Sequence, residues 1–299
     1  MPYTAVRKPS DAPAVTREEV QRVVLEPATE AGKPQTPPTG EQKRLVSGKK
    51  RESLVPSGGV NPLSLIGADE RVRIRETEQP PFNLICALRI AAPWGDFIGT
   101  AWFAGPKTLI TAGHCVFDAN QMGGWASEIT IYPGRDGDEP PPATLVSKDF
   151  STVDLWEQNQ DPDHDIAAIH LEENVLKGAA PFRIATMPDA DLQDQLVNVS
   201  GYPSDKGGFE QWWARNRIRA VRPLRIFYDV DTVAGQSGGP AYLLDKPGAT
   251  PTVVAIHAYG VGGTPDSLKL EVNSAPRITA DKLNQIKAWV NADTPNYLK

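Results

Sequence analysis

The stretch Thr232–Pro240 reads Thr-Val-Ala-Gly-Gln-Ser-Gly-Gly-Pro, and it decides how the rest of the chain is interpreted. It places the hydroxyl of Ser237 among three glycines. A serine is a weak nucleophile at neutral pH, because it needs a base to accept its proton and donors to hold the oxyanion that follows. Glycines let the backbone bend sharply and let a substrate carbonyl approach closely. Ser237 is therefore a candidate nucleophile whose partners must come from other stretches.

Two other stretches supply a base and an acid. Thr111–Cys115 reads Thr-Ala-Gly-His-Cys, and Asp165 opens a short apolar run. His114, Asp165 and Ser237 thus occur in the order of the chymotrypsin-type triad. The Gly-x-Ser-x-Gly motif also fits the nucleophile elbow of α/β-hydrolases, but that fold requires the acid and the histidine after the serine. Only His257 lies downstream, too close for the elements that such a fold places in between.

Composition divides the chain of 299 residues near Pro62. Of the 22 aromatic residues, 21 lie beyond Pro62, and Tyr3 is the exception. The first 62 residues hold nine prolines and carry ten Lys and Arg against seven Asp and Glu, while the whole chain has a net charge of −6. A segment so poor in aromatics cannot bury enough surface to offset its ordering entropy, so residues 1–62 are predicted to be a disordered tail.

Beyond Pro62 the sequence predicts many short strands separated by turns, which is typical of an antiparallel sandwich or barrel. The predicted strands are Asn83–Ile90, Gly99–Phe103, Thr108–Thr111, Glu128–Tyr132, Ile166–Leu171, Gln195–Val199, Ile218–Val221, Leu224–Asp229 and Thr252–His257. A helix is predicted at the end of the chain, because Thr279 can cap it and one apolar stripe follows. That stripe consists of Leu283, Ile286, Trp289 and Val290.

Nine stretches carry a resemblance to a known family: Ile66–Val72, Gly105–Thr108, Thr111–Cys115, Pro133–Arg135, Asp165–Leu171, Ser200–Pro203, Asp231–Pro240, Ala255–His257 and Arg277–Thr279. In order and spacing they resemble the bacterial glutamyl endopeptidases, a branch of the chymotrypsin-like serine proteases. The resemblance implies an all-β fold of two six-stranded antiparallel β-barrels with a C-terminal helix, and an active site between the barrels. The implied division is a removable, pro-segment-like tail (1–62), a first barrel (63–175), and a second barrel with the helix (176–299).

The resemblance also implies roles for individual residues. Ser237 is the expected nucleophile, His114 the general base and Asp165 the residue that orients it. The backbone N–H groups of Gly235 and Ser237 are expected to form the oxyanion hole. Substrate-binding roles are expected for Thr232 and His257, because a hydroxyl and an imidazole N–H can hold a glutamate carboxylate.

Two alternatives to a glutamate-specific protease stay open. Asp231 lies six residues before Ser237, where an acid selects Lys or Arg in trypsin-like enzymes. The chain also fits a protease-like binding module that has lost turnover, although its complete triad argues against this. In each case we expect a monomer whose partners are proteins or peptides.

The two cysteines, Cys86 and Cys115, either form a disulfide or stay reduced. In some relatives the cysteine after the catalytic histidine pairs with one that stands just before a Thr-Gly-Trp element. Here Gly99 occupies that position, before Thr-Ala-Trp, and Cys86 lies one strand earlier. Disulfide geometry is strict, so the sequence leaves the pairing open.

Other classes of function find little support in the sequence. The acids at 161, 163 and 165 with Glu172 fit part of a calcium-loop spacing, but Ile166 stands where that loop needs glycine, so no metal and no cofactor is expected. The pair Trp212–Trp213 lacks a basic groove, so nucleic-acid binding is not expected. No signal peptide or membrane span is visible, which leaves the compartment open, although the resemblance implies secretion.

Overall fold

The computed structural model describes residues 3–9, 63–138, 141, 143–176, 181–244 and 250–298. The predicted tail therefore lies outside the described residues from 10 to 62. The strands in the described residues are β1 (Ala5–Arg7), β2 (Leu63–Ser64), β3 (Val72–Arg73), β4 (Ile85–Ala92), β5 (Gly95–Gly105), β6 (Thr108–Thr111), β7 (Phe117–Asp118), β8 (Gly124–Trp125), β9 (Glu128–Pro133), β10 (Leu145–Ser147), β11 (Asp149–Val153), β12 (Ala167–His170), β13 (Arg183–Ile184), β14 (Leu196–Gly201), β15 (Trp212–Val221), β16 (Arg225–Tyr228), β17 (Thr232–Val233), β18 (Pro240–Leu243), β19 (Thr252–Ile256) and β20 (Asn273–Pro276). The α-helices are α1 (Asp154–Asn159), α2 (Asp189–Leu192) and α3 (Ala280–Asp293).

The first barrel is an antiparallel sheet in the order β11-β12-β6-β5-β4-β9-β10. Strands β10 and β11 form one segment that is interrupted only at Lys148, so the two ends of the sheet are continuous in the chain and the sheet closes. Strands β6 and β12 are buried along their whole length. The inner faces of β6 and β12 meet the barrel core, and helix α3 packs on their outer faces. Because both faces are covered, these strands consist mainly of apolar or small residues.

The second barrel follows the order β19-β18-β14-β15-β16-β20. It closes where Ile278 N–H donates to Val254 O over 2.7 Å, next to the bridge between Ala255 and Arg277. Short strands β13 and β3 add to its outside, on β19 and β15. The all-β fold of two six-stranded barrels is thus confirmed, with β1, β3 and β13 as additions.

The N-terminal residues depart from the sequence prediction. Composition predicts disorder for residues 1–62, but Ala5–Arg7 forms strand β1 and pairs antiparallel with β11 of the first barrel. The physical reason is local: the edge of β11 offers unpaired backbone groups, and Tyr3, the one aromatic of this region, packs against the core. The prediction of disorder is therefore wrong for residues 3–9.

The C-terminal helix α3 has the predicted cap and the predicted buried stripe. The hydroxyl of Thr279 accepts from Lys282 N–H, and Ile286, Trp289 and Val290 are buried. The helix follows the second barrel in sequence but packs on β5, β6 and β12 of the first. The fit is close, because a Cβ added at Gly105 would lie 2.6 Å from Val290 Cγ1.

Candidate active site

The base and the acid lie together because of strand register. Strands β6 and β12 pair with Thr111 opposite Ala167. His114 follows three residues after Thr111 in a single 3₁₀ turn, and Asp165 precedes Ala167 by two residues. Because the strands are antiparallel, both side chains meet at the same edge of the first barrel.

Asp165 holds both the backbone and the ring of His114. Its Oδ1 accepts from His114 N–H over 2.9 Å, and its Oδ2 lies 2.7 Å from His114 Nδ1. Burial raises the pKa of Asp165, but the charge of His114 and its hydrogen bonds outweigh burial, so the pKa is lowered. Burial lowers the pKa of His114, but the charges and hydrogen bonds of its neighbours, Asp165 first among them, outweigh burial, so that pKa is raised above 6.5. An ionised Asp165 assigns the proton to Nδ1, which leaves the lone pair on Nε2 to act as a base.

The loop around Ser237 has two peptide planes that are fixed through their carbonyls. Ala234 O accepts from Ser204 N–H over 2.7 Å, and Gln236 O accepts from Gly239 N–H over 2.9 Å. In a trans peptide the N–H points opposite to the C=O, so the N–H groups of Gly235 and Ser237 point away from these contacts. Within the described part of the chain neither N–H has a partner. Both N–H groups are therefore available to a further acceptor within the described part of the chain.

Close backbone packing explains two glycines of this loop. Gly235 has φ +96°, and a Cβ added there would lie 2.5 Å from Tyr202 O. Gly238 has φ +87°, and its Cβ would lie 2.1 Å from Thr100 O. The left-handed region and the missing space both exclude a side chain.

Thr100 of strand β5 links the nucleophile loop to the first barrel. Its N–H donates to Ser237 O and its hydroxyl donates to Gly235 O, each over 2.8 Å. Thr111 Oγ1 in turn donates to Thr100 O over 2.8 Å. The nucleophile loop is therefore held against strand β5 of the first barrel, and β5 is bonded through Thr111 to strand β6, which ends three residues before His114.

Ser237 and His114 line one cleft, together with Gly235 and with Ile98 and Met122 of the first barrel. Ser237 is half-buried. The contacts of the described residues include no hydrogen bond between Ser237 Oγ and His114. Such a bond is often long in a free enzyme and tightens when substrate binds. The structure thus brings the predicted base, acid, nucleophile and oxyanion donors to one place.

His257 lies beside the nucleophile loop and is buried. Its O accepts from Gly238 N–H over 2.7 Å, and its N–H donates to Gly239 O over 2.9 Å. Its Nδ1 lies 2.6 Å from the hydroxyl of the buried Tyr228. Burial and repulsion from His114 lower the pKa of His257 to about 3, and burial raises the pKa of Tyr228. Both side chains are therefore neutral near pH 7.

The contact with Tyr228 assigns the tautomer of His257. Among the described residues the Tyr228 hydroxyl has no partner other than His257 Nδ1. If Nδ1 carried the proton, the buried phenolic proton would have no acceptor, which is costly. We therefore assign the phenol as the donor and place the imidazole proton on Nε2. His257 then offers a neutral N–H that Tyr228 does not use.

Thr232 and Asp231 stand at the start of the same loop, and both are buried. Thr232 pairs with Ser64 between strands β17 and β2. The two carboxylate oxygens of Asp231 accept the N–H groups of Ile66 and Glu70, over 2.7 and 2.8 Å. The carboxylate that the sequence offered as the base of a trypsin-like pocket is thus engaged by backbone donors.

The sequence did not single out Tyr228 or Tyr259. The ring of Tyr259 lies 6.1 Å from that of His114. Its buried hydroxyl makes no hydrogen bond of normal geometry within the described residues. Burial raises the pKa of Tyr259 most, and the nearby Asp165 raises it further. Both tyrosines stood in or next to predicted strands. Only the pairing of distant strands reveals what they touch.

A second Ser-His-Asp arrangement lies elsewhere in the first barrel. His170 Nε2 lies 2.9 Å from Ser151 Oγ, and His170 Nδ1 lies 2.7 Å from Asp293 Oδ2 of helix α3. Ser151 is buried and sits in the ladder opposite Arg7 of strand β1. The arrangement joins the helix to the barrel.

The two cysteines are both free and buried. Cys86 lies in β4 opposite Ala101, while the Sγ of Cys115 lies 2.9 Å from the place of a Cβ at Gly99. Cys115 therefore faces Gly99, the position at which the resemblance places a partner cysteine, and a glycine there offers no sulfur. Among the described residues no group of three or more His, Cys, Asp or Glu side chains could hold a metal ion. In that same part of the chain no helix is long and apolar enough to cross a membrane.

Comparison with known proteins gives consistent matches. The family profile described as "Trypsin-like peptidase domain" matches residues 99–248, a range that contains His114, Asp165 and Ser237. The chain is 31% identical over 255 residues to a Bacillus subtilis protein named "Extracellular metalloprotease", which covers 85% of this chain and 78% of that protein. It is 30% identical to the "Glutamyl endopeptidase" of Bacillus licheniformis, with the same coverages of 85% and 78%. A solved Glu endopeptidase superposes with a TM-score of 0.64 at 21% identity, over 76% of this chain and 99% of that one.

Proposed function

Because the chain belongs to the family of trypsin-like serine peptidases and is a serine endopeptidase, we propose that Ser237, His114 and Asp165 perform its reaction and that it cleaves after glutamate. One observation carries the first part. Asp165 binds both N–H groups of His114 at the edge of a cleft that Ser237 shares, and two unpaired backbone N–H groups belong to the same loop.

The reaction follows from these positions. His114 Nε2 accepts the Ser237 proton as Oγ attacks the substrate carbonyl, and the N–H groups of Gly235 and Ser237 hold the resulting oxyanion. His114 then gives its proton to the leaving amine, which completes the acyl-enzyme. A water molecule loses a proton to His114 and attacks the ester, so the carboxylic acid leaves and Ser237 regains its proton. Asp165 keeps the ring oriented and stabilises the imidazolium.

The proposal of glutamate specificity rests on His257 and Thr232. A buried substrate carboxylate needs hydrogen-bond donors. The neutral Nε2–H of His257 and the hydroxyl of Thr232 are donors of the right kind beside the nucleophile loop. Asp231 supports the same choice, because both of its oxygens already accept backbone N–H groups and a Lys or Arg side chain would have to compete with them. The name of the Bacillus licheniformis relative agrees with this reading.

A matched set of peptides that differ only in the residue before the cut tests this specificity. We expect the highest kcat/KM after Glu, a lower value after Asp, whose side chain is shorter, and little cleavage after Lys or Arg. Faster hydrolysis after Arg than after Glu overturns the assignment. His257→Ala should remove the preference for Glu over Gln, and an unchanged preference removes His257 from the pocket even if Glu remains the substrate.

The nucleophile has its own test. A serine-directed fluorophosphonate should label Ser237, and Ser237→Ala should abolish both labelling and turnover. A chain that folds but does not label is a binding module rather than an enzyme. Because Ser151 also has a neighbouring histidine, His170, which in turn contacts Asp293, the labelled peptide must be mapped by mass spectrometry.

We also propose that the protease domain begins near Leu63 and that the pro-segment predicted over residues 1–62 is removable from residue 10 to residue 62, since residues 3–9 are attached to the first barrel. The pairing of Leu63–Ser64 with Thr232–Val233 supports this, because a new chain end at that point would lie beside the substrate-binding residues. Comparison of the full chain with one cut near Leu63 checks the proposal. Equal activity of both forms means that the segment has no inhibitory role.

A further inference from the structure

Residues 3–9 are attached to the first barrel along the exposed edge of β11. Ala5, Val6 and Arg7 pair with Val153, Thr152 and Ser151. The ladder extends at both ends, where Lys8 N–H donates to Phe150 O over 2.9 Å and Asp154 N–H donates to Thr4 O over 3.0 Å. This is the pattern by which an extended peptide adds a strand to a sheet.

Side chains of the segment make further specific contacts. Lys8 Nζ donates to Ser127 O over 2.8 Å and lies 5.2 Å from the centre of the Phe150 ring. Arg7 forms a two-pronged ion pair with Asp149. That pair is exposed, with 60% and 44% of the two side chains accessible, so it adds little to affinity. The backbone ladder and the packed Tyr3 ring are therefore the main sources of binding.

Tyr3 connects this strand to the loop that carries Asp165. Its hydroxyl lies 2.8 Å from His164 Nδ1, and the two rings meet edge to face at 5.3 Å. His164 immediately precedes Asp165, which has no freedom to move without disturbing both of its hydrogen bonds to His114. A hydrogen bond at residue 164 thus restrains the backbone at the triad carboxylate.

A second connection runs through helix α1. The carbonyl of Thr4 accepts from Asp154 N–H, at the first residue of that helix. Trp156 of the same helix packs on the turn of His114, where a Cβ added at Gly113 would lie 2.6 Å from Trp156 Cδ1. Both the acid and the base are therefore supported by elements that contact residues 3–9.

The chain offers 53 residues between Pro9 and Leu63 as a tether between this strand and the start of the protease domain. Among the described residues, the hydrogen bonds and strand pairing of residues 3–9 are with the first barrel and with the loop and helix beside it.

We propose that residues 3–9 act as a built-in activating peptide, which binds the β11 edge independently of the tether and holds the Asp165 loop in its catalytic position through Tyr3. A chain cut between residues 10 and 62 is then a two-chain protease. Its short N-terminal chain is required for full activity, although it contributes no residue to the cleft.

The experiment uses the full chain with the recognition sequence of a site-specific protease placed between residues 20 and 50. After the cut, activity per molecule is measured over a dilution series on the best available peptide substrate, so the result does not depend on which residue precedes the bond. We expect the uncut protein to keep constant activity and the cut protein to lose it on dilution. A synthetic peptide of residues 1–10 should restore it with saturation.

Two outcomes of the dilution series are decisive. If the N-terminal fragment leaves on gel filtration and the remaining chain keeps full activity, the proposal is overturned. If the fragment co-elutes at every dilution, the docking is confirmed, and the role in catalysis is then decided by variants of the uncut chain.

The deciding variant is Tyr3→Phe, which removes one hydroxyl and keeps the ring. We expect kcat to fall roughly 3- to 10-fold with KM nearly unchanged, as for the loss of one positioning hydrogen bond. Arg7→Ala is the matched control, because it removes a surface contact of the same strand and should leave kcat unchanged. Equal kcat values for wild type and Tyr3→Phe overturn the coupling to Asp165.

Discussion

The substitution Gly99→Cys should create a disulfide with Cys115 and stabilise the protein. In a disulfide the Cβ of one cysteine lies about 3 Å from the Sγ of the other. A Cβ at Gly99 would lie 2.9 Å from Cys115 Sγ, with Ile90 Cδ1 at 3.4 Å and Leu88 Cδ1 at 3.6 Å as the next neighbours. The new sulfur therefore points at its partner without a clash against backbone.

The size of the effect follows from the loop that the bond closes. Residues 99 to 115 enclose 17 residues. Loop entropy for that length gives about 3 kcal/mol of stabilisation, provided that native geometry is kept. For a domain of this size the melting temperature should rise by roughly 6–12 °C.

The sign of the effect distinguishes this bond from a simple filling of space. Gly99→Ala places the same Cβ against an unbonded sulfur at 2.9 Å, so it should destabilise the protein by about 1–3 kcal/mol. Gly99→Cys combined with Cys115→Ala removes the partner and should gain nothing. Thermal unfolding with and without reductant, together with thiol titration of the denatured protein, measures all three variants. The Gly99→Cys protein has three cysteines, so the oxidised form should titrate one thiol, that of Cys86. If three thiols still titrate, or if oxidation does not raise the stability of the protein, the geometric reasoning is wrong.

Three further predictions concern the active site. Ser237→Ala should lower kcat by several orders of magnitude, and a fluorophosphonate should label Ser237 but leave Ser151 unlabelled in the mapped peptides. Tyr228→Phe should lower kcat/KM for Glu substrates more than for Gln substrates, because no hydroxyl then donates to His257 Nδ1 and keeps the imidazole proton on Nε2. Equal losses on both peptides contradict this tautomer of His257. Because the pKa of His114 is raised, the rising limb of the kcat/KM profile should lie above pH 6.5, and a limb below that value contradicts the pairing with Asp165.

Local signals in the sequence were sufficient for much of the fold and the candidate site. The motifs around His114 and Ser237 are recognisable in the sequence, because glycines and small residues are needed where backbones approach closely, as at Gly238. The buried stripe of helix α3 is predicted by helical periodicity, and its cap is predicted by the residue type of Thr279. Which barrel that helix covers is a long-range property, and the order of elements along the chain does not reveal it.

Four strands of the barrels, β10, β11, β18 and β20, escaped prediction, and three of them did so for identifiable reasons. Strands β18 and β20 contain Pro240 and Pro276 at their ends, and proline argues against a central strand. Strand β11 reads Asp-Phe-Ser-Thr-Val, with polar residues where a core pattern needs apolar ones. Its Thr152 is buried because the hydroxyl donates to Ile166 O over 2.7 Å. Local patterns cannot show such a partner, since it lies 14 residues away, just before strand β12.

Tyr3 shows that the average composition of a long segment can hide a short stretch that docks. The average over 62 residues predicts disorder, and the single aromatic of that region marks the stretch that docks. A strand that adds to an existing edge does not need its own core, because the sheet supplies the hydrogen-bond partners and most of the apolar surface. Compositional rules for disorder describe segments that must fold alone, and residues 3–9 do not.

Asp231 illustrates how one residue at a diagnostic spacing can serve a different purpose. Its distance from Ser237 in sequence is the one that predicts a pocket for Lys or Arg. In the structure its two oxygens accept N–H groups at Ile66 and Glu70, and the neighbouring Thr232 pairs with Ser64. A buried carboxylate with two such donors stabilises the junction between the start of the protease domain and the nucleophile loop. The loop is thus held by the segment 64–70, by Thr100 of the first barrel and by the backbone of His257. Specificity then depends on how these distant segments meet, which explains why the spacing of one acid could not decide it.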